Sequence, residues 1–472
     1  MKKAIVVVVI LLAAILGLVP GYVGGKAEAQ YSNAMERLRL NGLRVERHDY
    51  QRGWMGAAAV TDFVVPIPRK LSSEESIRLP SELRFTLFSD VQHGPLIPGT
   101  GMAIAKIDSR ILLNGRQLFP DDYPATLQSV VALDGSTTTH LDLPEKTFEL
   151  ESGKVRVVFH GLEGTLKVDR TFSQTSLTLS SPGGRLDENG RKVADLGPLS
   201  VRSNGLVTES GLALGNGKFQ LDALMIAEPK RGRQVEARGL YLDADSNAQG
   251  ERVVASMTTG LESLNVAGQR YGASEIRLSL GNLHAPVLLK IQQALEELRG
   301  QNIDPQMQSV AIMSTLMTQA PLLLQHDPVV SVERLHVETP DGPVDGHLTV
   351  RSVGMTWEDL QGGLGFLQKL QAEASLSLPE TLLREMGRLQ AERQVRRQIE
   401  MRRRLDEDYT PPSPAELGAI VQRTADRQIA ALLEEGLIRR KGSQLESEAT
   451  FDQGRLTVNG KLIELPFLPP PR

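Results

Sequence analysis

The residues most able to do chemistry in this chain are its carboxylates, its eight histidines and a few glycine clusters, and each chemistry requires a particular spacing. Asp243-Ala-Asp245-Ser-Asn247 opens like a calcium loop. However, Ala248 stands where the loop needs glycine and Val254 where it needs a bidentate glutamate, so the segment reads as a polar turn. The histidines, His48, His93, His140, His160, His284, His326, His336 and His347, form no H-E-x-x-H and no pair at helical ligand spacing. His140 and Asp142 would share a strand face, but two ligands do not make a metal site. Gly99-Thr-Gly101 lacks the third glycine of a dinucleotide loop, and Gly362-Gly363-Leu-Gly365 does not sit between a strand and a helix. There is no G-x-S-x-G and no Walker lysine. No catalytic residue, cofactor or metal is therefore assigned. A hydrolase using carboxylates dispersed over distant strands is the third-ranked reading.

Composition narrows the field further. The chain has 472 residues, 40% of them hydrophobic, enough for one or two sizeable cores. Fifty-three Lys plus Arg against 57 Asp plus Glu give a net charge of -4, which argues against nucleic acid as a partner. Only 11 Phe, 2 Trp and 7 Tyr are present, so stacking platforms are scarce. Zero cysteine removes disulfides, thiolate nucleophiles and cysteine metal sites together.

Residues 1–26 set the expected address. Lys2 and Lys3 precede an uncharged run from Ala4 that reaches Val23, long enough to rise about 30 Å as a helix. Ala27-Glu-Ala29 has the A-x-A form of a cleavage site, but Lys26 and the distance from Val19 favour an uncleaved single-pass anchor. The lysines would hold the N-terminus in the cytoplasm and send the bulk of the chain across.

Past the anchor, residues 27–284 alternate as short strands between Gly, Asn, Asp and Pro turns, the pattern of an antiparallel meander. Lys154–Phe159 and Gly164–Val168 read as a hairpin across Gly161 to Gly164, and Asn189-Gly190 marks another turn. Residues 285–327 change to helical spacing and predict a helical hairpin, broken at Pro321, whose Met and Leu residues cover one face of the sheet. Residues 328–378 return to strands. Residues 379–441 predict two helices separated at Pro411-Pro412, each opened by a capping box, Ser377 with Glu380 and Ser413 with Glu416. Residues 442–472 form a last hairpin and a proline-rich tail. The expected fold class is thus α+β and β-rich: a long antiparallel meander or curved sheet with a helical hairpin and a C-terminal helix pair, after a single N-terminal transmembrane segment. Arg384, Arg388, Arg393, Arg396, Arg397, Arg402, Arg403 and Arg404 make one of those helices strongly basic, which reads first as a solvated face and second as an attraction for anionic headgroups.

Five stretches taken together resemble the YdgA-like family of Gram-negative bacteria, exported proteins grouped as a domain of unknown function. They are Gly25–Tyr31, Tyr50-Gln-Arg52-Gly53-Trp54, Gln92-His93-Gly94-Pro95, Leu322 to Asp327-Pro328, and Gly454–Gly460. The resemblance spans most of the chain except the Arg-rich helix and the Pro-rich linker after it. It implies an inner-membrane protein facing the periplasm and brings no catalytic mechanism. For the motif positions themselves the expected role is structural: Tyr50 and Trp54 sharing a strand face with Gly53 permitting close approach, and His93-Gly94-Pro95 ending a strand. Function is expected to be non-enzymatic, an apolar sheet surface receiving lipid or an exported protein; a protein scaffold or homo-oligomeric assembly factor is the alternative.

Overall fold

The computed structural model describes residues 23–29, 31, 32, 35, 44–66, 82–94, 96–113, 116–117, 125–150, 154–228, 233–300, 305–361, 363–405 and 412–464. The anchor expected over residues 1–26 lies almost wholly outside them, as does Pro95. Among the described residues no helix is long and apolar enough to cross a membrane. The chain divides into two compact units, Met1–Asp222 with Ala285–Gln319, and Ala223–His284 with Ala320–Arg472.

In the first unit, β1 (Arg44–Arg52), β2 (Gly56–Pro66), β3 (Glu82–His93) and β4 (Ala105–Leu113) pair antiparallel in sequence order. The ladder continues through Thr126–Val131, Thr137–Leu143, Leu162–Val168, Gln174–Ser181, Leu199–Val207 and the first part of Ala213–Glu228. A side ribbon joins Lys146–Leu150, Val155–Phe159, Gly184–Glu188 and Arg191–Leu196. The hairpin expected between Lys154–Phe159 and Gly164–Val168 is therefore corrected: the first strand belongs to the ribbon and the second to the main ladder. Gly161 makes the switch, with φ of 106° and a backbone carbonyl 3.1 Å from where a Cβ would sit. The Asn189-Gly190 turn forms with both residues at positive φ, the geometry that matches strand twist.

In the second unit Arg233–Gln249, Arg252–Leu261, Ser274–His284, Val329–Thr339, Gly342–Ser352, Leu370–Pro379, Gln444–Asp452, Arg455–Val458 and Lys461–Ile463 form another antiparallel ladder. The polar turn expected at Asp243 to Asn247 is instead the middle of a strand. Asp243, Asp245 and Asn247 alternate onto one face, where they face Thr258, Ser256 and Val254, so a polar run of period two was mistaken for a turn.

The helices behave unevenly. Ala285–Gly300 buries Val287 and Ile291, while Gln292 accepts from Ala213 N at 2.9 Å. Pro305–Leu324 continues through Pro321 rather than breaking there, at the loss of the one bond that a residue 321 N–H would make to Met317 O. Its Met307, Val310, Met313 and Met317 face solvent, so these residues do not cover the sheet. Ser413 and Glu416 form the reciprocal capping box, with Pro414 in the first turn of Pro414–Glu434. Ser377 does not cap: it lies inside Leu370–Pro379, opposite Asp345 and Glu446, and helix Glu380–Leu405 follows that strand directly. Glu380 instead accepts from Arg440 at 2.8 Å and Arg384 at 2.8 Å, and these bonds hold its carboxyl down at about 2. The helix pair buries Ala391, Val395, Val421 and Ala425 against each other.

Candidate functional site

Two surfaces emerge when side chains are placed on these elements. One is covered and contains most of the motif residues. The other is open.

The covered surface belongs to the first unit. Residues 23–29 and 31–32 are helical, and Val23, Ala27 and Tyr31 recur every four positions, so they form one stripe. All three are buried. Beneath them the sheet offers small residues: Ala57, Ala59 and Thr61 alternate onto one face of β2, and Val91, Ala105 and Val131 extend it across the neighbouring strands. Small side chains let the helix backbone come close. Tyr31 stacks on His48 with ring centroids 5.2 Å apart, and its hydroxyl is 3.0 Å from Thr61 Oγ1. Glu28 pairs with Arg52 at 3.2 Å.

His93, 2% exposed, ends β3; its Nε2–H donates to Gly56 O at 3.2 Å. Gly24 lies over that imidazole so closely that a Cβ would sit 2.6 Å from Cε1. Tyr50 lies opposite Ala59 with its hydroxyl buried, and burial, reinforced by the Glu28 charge, pushes its pKa up to about 12. Gly94 is buried with φ of 151°. Trp54 does not share a face with Tyr50: β1 stops at Arg52, Gly53 N donates to Gly56 O at 2.7 Å, and the tight turn turns Trp54 outward. The structure thus brings Tyr50, Arg52, Gly53, His93 and Gly94 into one neighbourhood with Gly24 and Glu28. Asp327 and Pro328 belong to the second unit. Asp327 holds a turn at φ of 53°, accepting from Gly354 N at 2.6 Å through Oδ1, and Pro328 O accepts from Ser352 N at 3.3 Å. The sequence reading missed the Val23-Ala27-Tyr31 stripe, although its spacing of four was present to be found.

The open surface is the apolar face of the second unit's sheet. Reading across strands, Ala244, Met257, Leu278, Val332, Leu348, Ala374, Ala449 and Val458 are successive direct partners. Two residues along each strand lies a second row: Ala255, Leu280, Val330, Val350, Ala372, Phe451 and Leu456. Because side chains alternate with period two, both rows share one face. The row between them, Ser256, Ser279, Ser331, Thr349, Glu373, Thr450 and Thr457, lies on the other. The apolar face is nonetheless wet: Leu280, Val330 and Leu348 are exposed, Val330 to 50%. Leu242, Ile276 and Leu376 continue it and are also exposed. Fully burying a Leu or Val side chain is worth about 1.5–3 kcal/mol, and covering these half-exposed side chains would add a part of that at each.

An open cleft of about 680 Å³ in the first unit is lined by Asp142, Glu145, His160, Glu163 and Asp222 among others. Asp142 and Glu163 are direct cross-strand partners, and His160 Nδ1 lies 3.7 Å from Glu145. All five side chains are solvent-exposed. Among the described residues no group of three or more His, Cys, Asp or Glu could hold a metal ion.

The second unit thus presents an antiparallel ladder with a half-exposed apolar face. The chain belongs to a family of bacterial proteins of unknown function, DUF945, whose model matches residues 1–466. No curated protein and no solved structure matches it.

Proposed function

We propose that this protein is a non-enzymatic holder of lipid: an inner-membrane protein, tethered through the uncharged run ending at Val23, whose periplasmic β-rich domain receives acyl chains on the open face around Leu280, Val330 and Leu348. The narrower YdgA-like resemblance and the positive N-terminal flank support the address. The observation that carries the function is the pair of apolar cross-strand rows left half-exposed beside a polar row. A strip of Leu, Val and Ala running across neighbouring strands suits a flexible hydrocarbon chain, which needs contact area and no hydrogen bonds.

The test is photocrosslinking of the full chain in living bacteria, with a photoreactive residue at Leu280 or Leu348 and, as control, at Thr450 on the polar face. Adducts of lipid mass at the first two positions and not the third are expected. Equal labelling at Thr450, or no lipid adduct anywhere, overturns the reading. Protein adducts at the apolar positions would replace lipid by an exported polypeptide.

A second reading, assembly through protein contacts, is favoured by the exposed Met307, Val310, Met313 and Met317 on one helix, since flexible thioethers suit adaptable interfaces. A crosslinker at Met313 that yields a species of twice the chain's mass would support it.

A further inference from the structure

Three successive turns at one end of the first unit's sheet carry its most exposed apolar side chains. Trp54 and Met55 form the β1–β2 turn, Leu96 and Met102 flank the β3–β4 loop, and Leu133 lies in the turn after Thr126–Val131. These five are between 55 and 74% exposed. Backbone bonds place the turns side by side: His93 N donates to Met55 O at 3.1 Å, Gly94 N to Ile104 O at 3.2 Å and Ile104 N to Val131 O at 2.8 Å.

The tips are built to present these residues. In the β3–β4 loop Ile97 and Gly101 exchange backbone bonds of 2.8 and 2.9 Å, with Ile97 and Ala103 buried at its base. Gly99 and Gly101 adopt φ of 74° and 89°, which closes the loop tightly, and Leu96 and Met102 lie exposed on either side of it. Leu96 to Ile104 contains no charge, and neither does Gly53 to Gly56. The single acid among the tips, Asp134, accepts from Ser136 N and Oγ within its own turn.

Along the same end the character then changes. The next turns are Asp169-Arg-Thr-Phe-Ser173 and Thr208-Glu-Ser-Gly211, both polar. The apolar tips are thus confined to the strands nearest Val23, which packs with Val91, Ile104, Ala105 and Val131 at the base of those very turns. Val23 is also where the uncharged run from Ala4 meets the sheet.

We infer that this end is a membrane-docking edge: Trp54, Met55, Leu96, Met102 and Leu133 enter the headgroup–acyl boundary of the phospholipid bilayer. The inference rests on the tethered reading above. An indole and flexible apolar side chains on rigid turns suit that boundary, where an amphipathic ring has one wet and one dry edge. The consequence is orientation: the tether alone leaves the domain free to swing, whereas the docked edge sets its strands at a steep angle to the membrane.

Because the chain has no cysteine, single-cysteine variants label cleanly. Full-length Met102→Cys, Leu133→Cys and, as control in a polar turn of the same end, Glu209→Cys would carry a polarity-sensitive fluorophore in phosphatidylethanolamine–phosphatidylglycerol vesicles. Quenching by nitroxide lipid is expected to be several-fold stronger at 102 and 133 than at 209. In unlabelled Trp357→Phe, which leaves Trp54 as the only tryptophan, emission is expected to shift to the blue on reconstitution. Chains that float with vesicles but show equal quenching at all three positions, or accessibility to aqueous iodide alone, overturn the docking edge and leave the tether standing. Chains that do not float overturn both. Neither result depends on crosslinking at Leu348, which reports the other unit.

Discussion

The two units meet the same physical problem, a sheet with an apolar face, and handle it differently. In the first, a short helix lays Val23, Ala27 and Tyr31 over Ala57, Ala59, Val91 and Ala105 and dries that part of the face. In the second, two much longer helices are present, yet their own core is drawn from each other, through Ala391, Val395, Val421 and Ala425. Leu280, Val330 and Leu348 stay wet. Length of helix is therefore not what covers a sheet. What matters is a stripe of the right period set against side chains small enough to admit it.

The contrast breaks most easily at Gly24. A valine there would drive its Cβ to within 2.6 Å of the buried His93 ring, and overpacking of this kind costs about 1–3 kcal/mol. Gly24→Val is expected to lower the thermal midpoint of the first unit and expose the helix to limited proteolysis, with the second unit's cleavage pattern unchanged. A matched pair sharpens the comparison. Val91→Thr places a hydroxyl under the helix and is expected to cost about 1–3 kcal/mol, while Val330→Thr on the open face should stay within about 0.5 kcal/mol, both by denaturant midpoint. Equal costs would mean that the second face is covered in solution. The smallest expected effect is at Tyr50. Its folded pKa, about 12, lies above its ordinary value of 10.0, so the stabilisation it supplies is complete below pH 10 and is lost as pH rises from 10 towards 12. Tyr50→Phe is expected to be near neutral at pH 7 and to shallow that alkaline limb, with one late-titrating tyrosine missing from the ultraviolet spectrum.

What could be read in the sequence was what local chemistry decides. Ser413-Pro414 with Glu416 specified its helix start because every partner lies within one turn, and Asn189-Gly190 specified its hairpin for the same reason. Ser377 with Glu380 showed the same spacing and failed, because pairing with Asp345 and Glu446 on both sides held Ser377 in a strand. The false hairpin at Gly161 failed similarly: adjacency in sequence was taken for pairing, and the true partners of Val155–Phe159 lie at 146–150 and 184–188. Of the motif cluster, the residues were legible and the gathering was not. Tyr50, His93 and Gly24 come together only when β1 and β3 are laid on the two sides of β2 and the helix bearing Gly24 packs on them. The open face was half-legible: alternation in each strand predicts an apolar side, but only the registers show that the rows align across seven or eight strands.

The interruption of the second ladder has a kinetic side. Nearly every strand there pairs with the next in the chain, so the sheet can zip by short loop closures. Two connections are long: Ser274–His284 to Val329–Thr339, which carries Ala285–Gly300 and Pro305–Leu324, and, longer still, Leu370–Pro379 to Gln444–Asp452, which carries Glu380–Leu405 and Pro414–Glu434. Closing that span is about four doublings longer than closing a hairpin turn, or about 2.4 kcal/mol more in chain entropy. Docking the helices on each other, with the Glu380–Arg440 pair joining the ends of the insertion, brings those strands within reach. On contact-order grounds the arginine-rich hairpin is expected to act as a folding clamp, with the strands that follow it joining the sheet late.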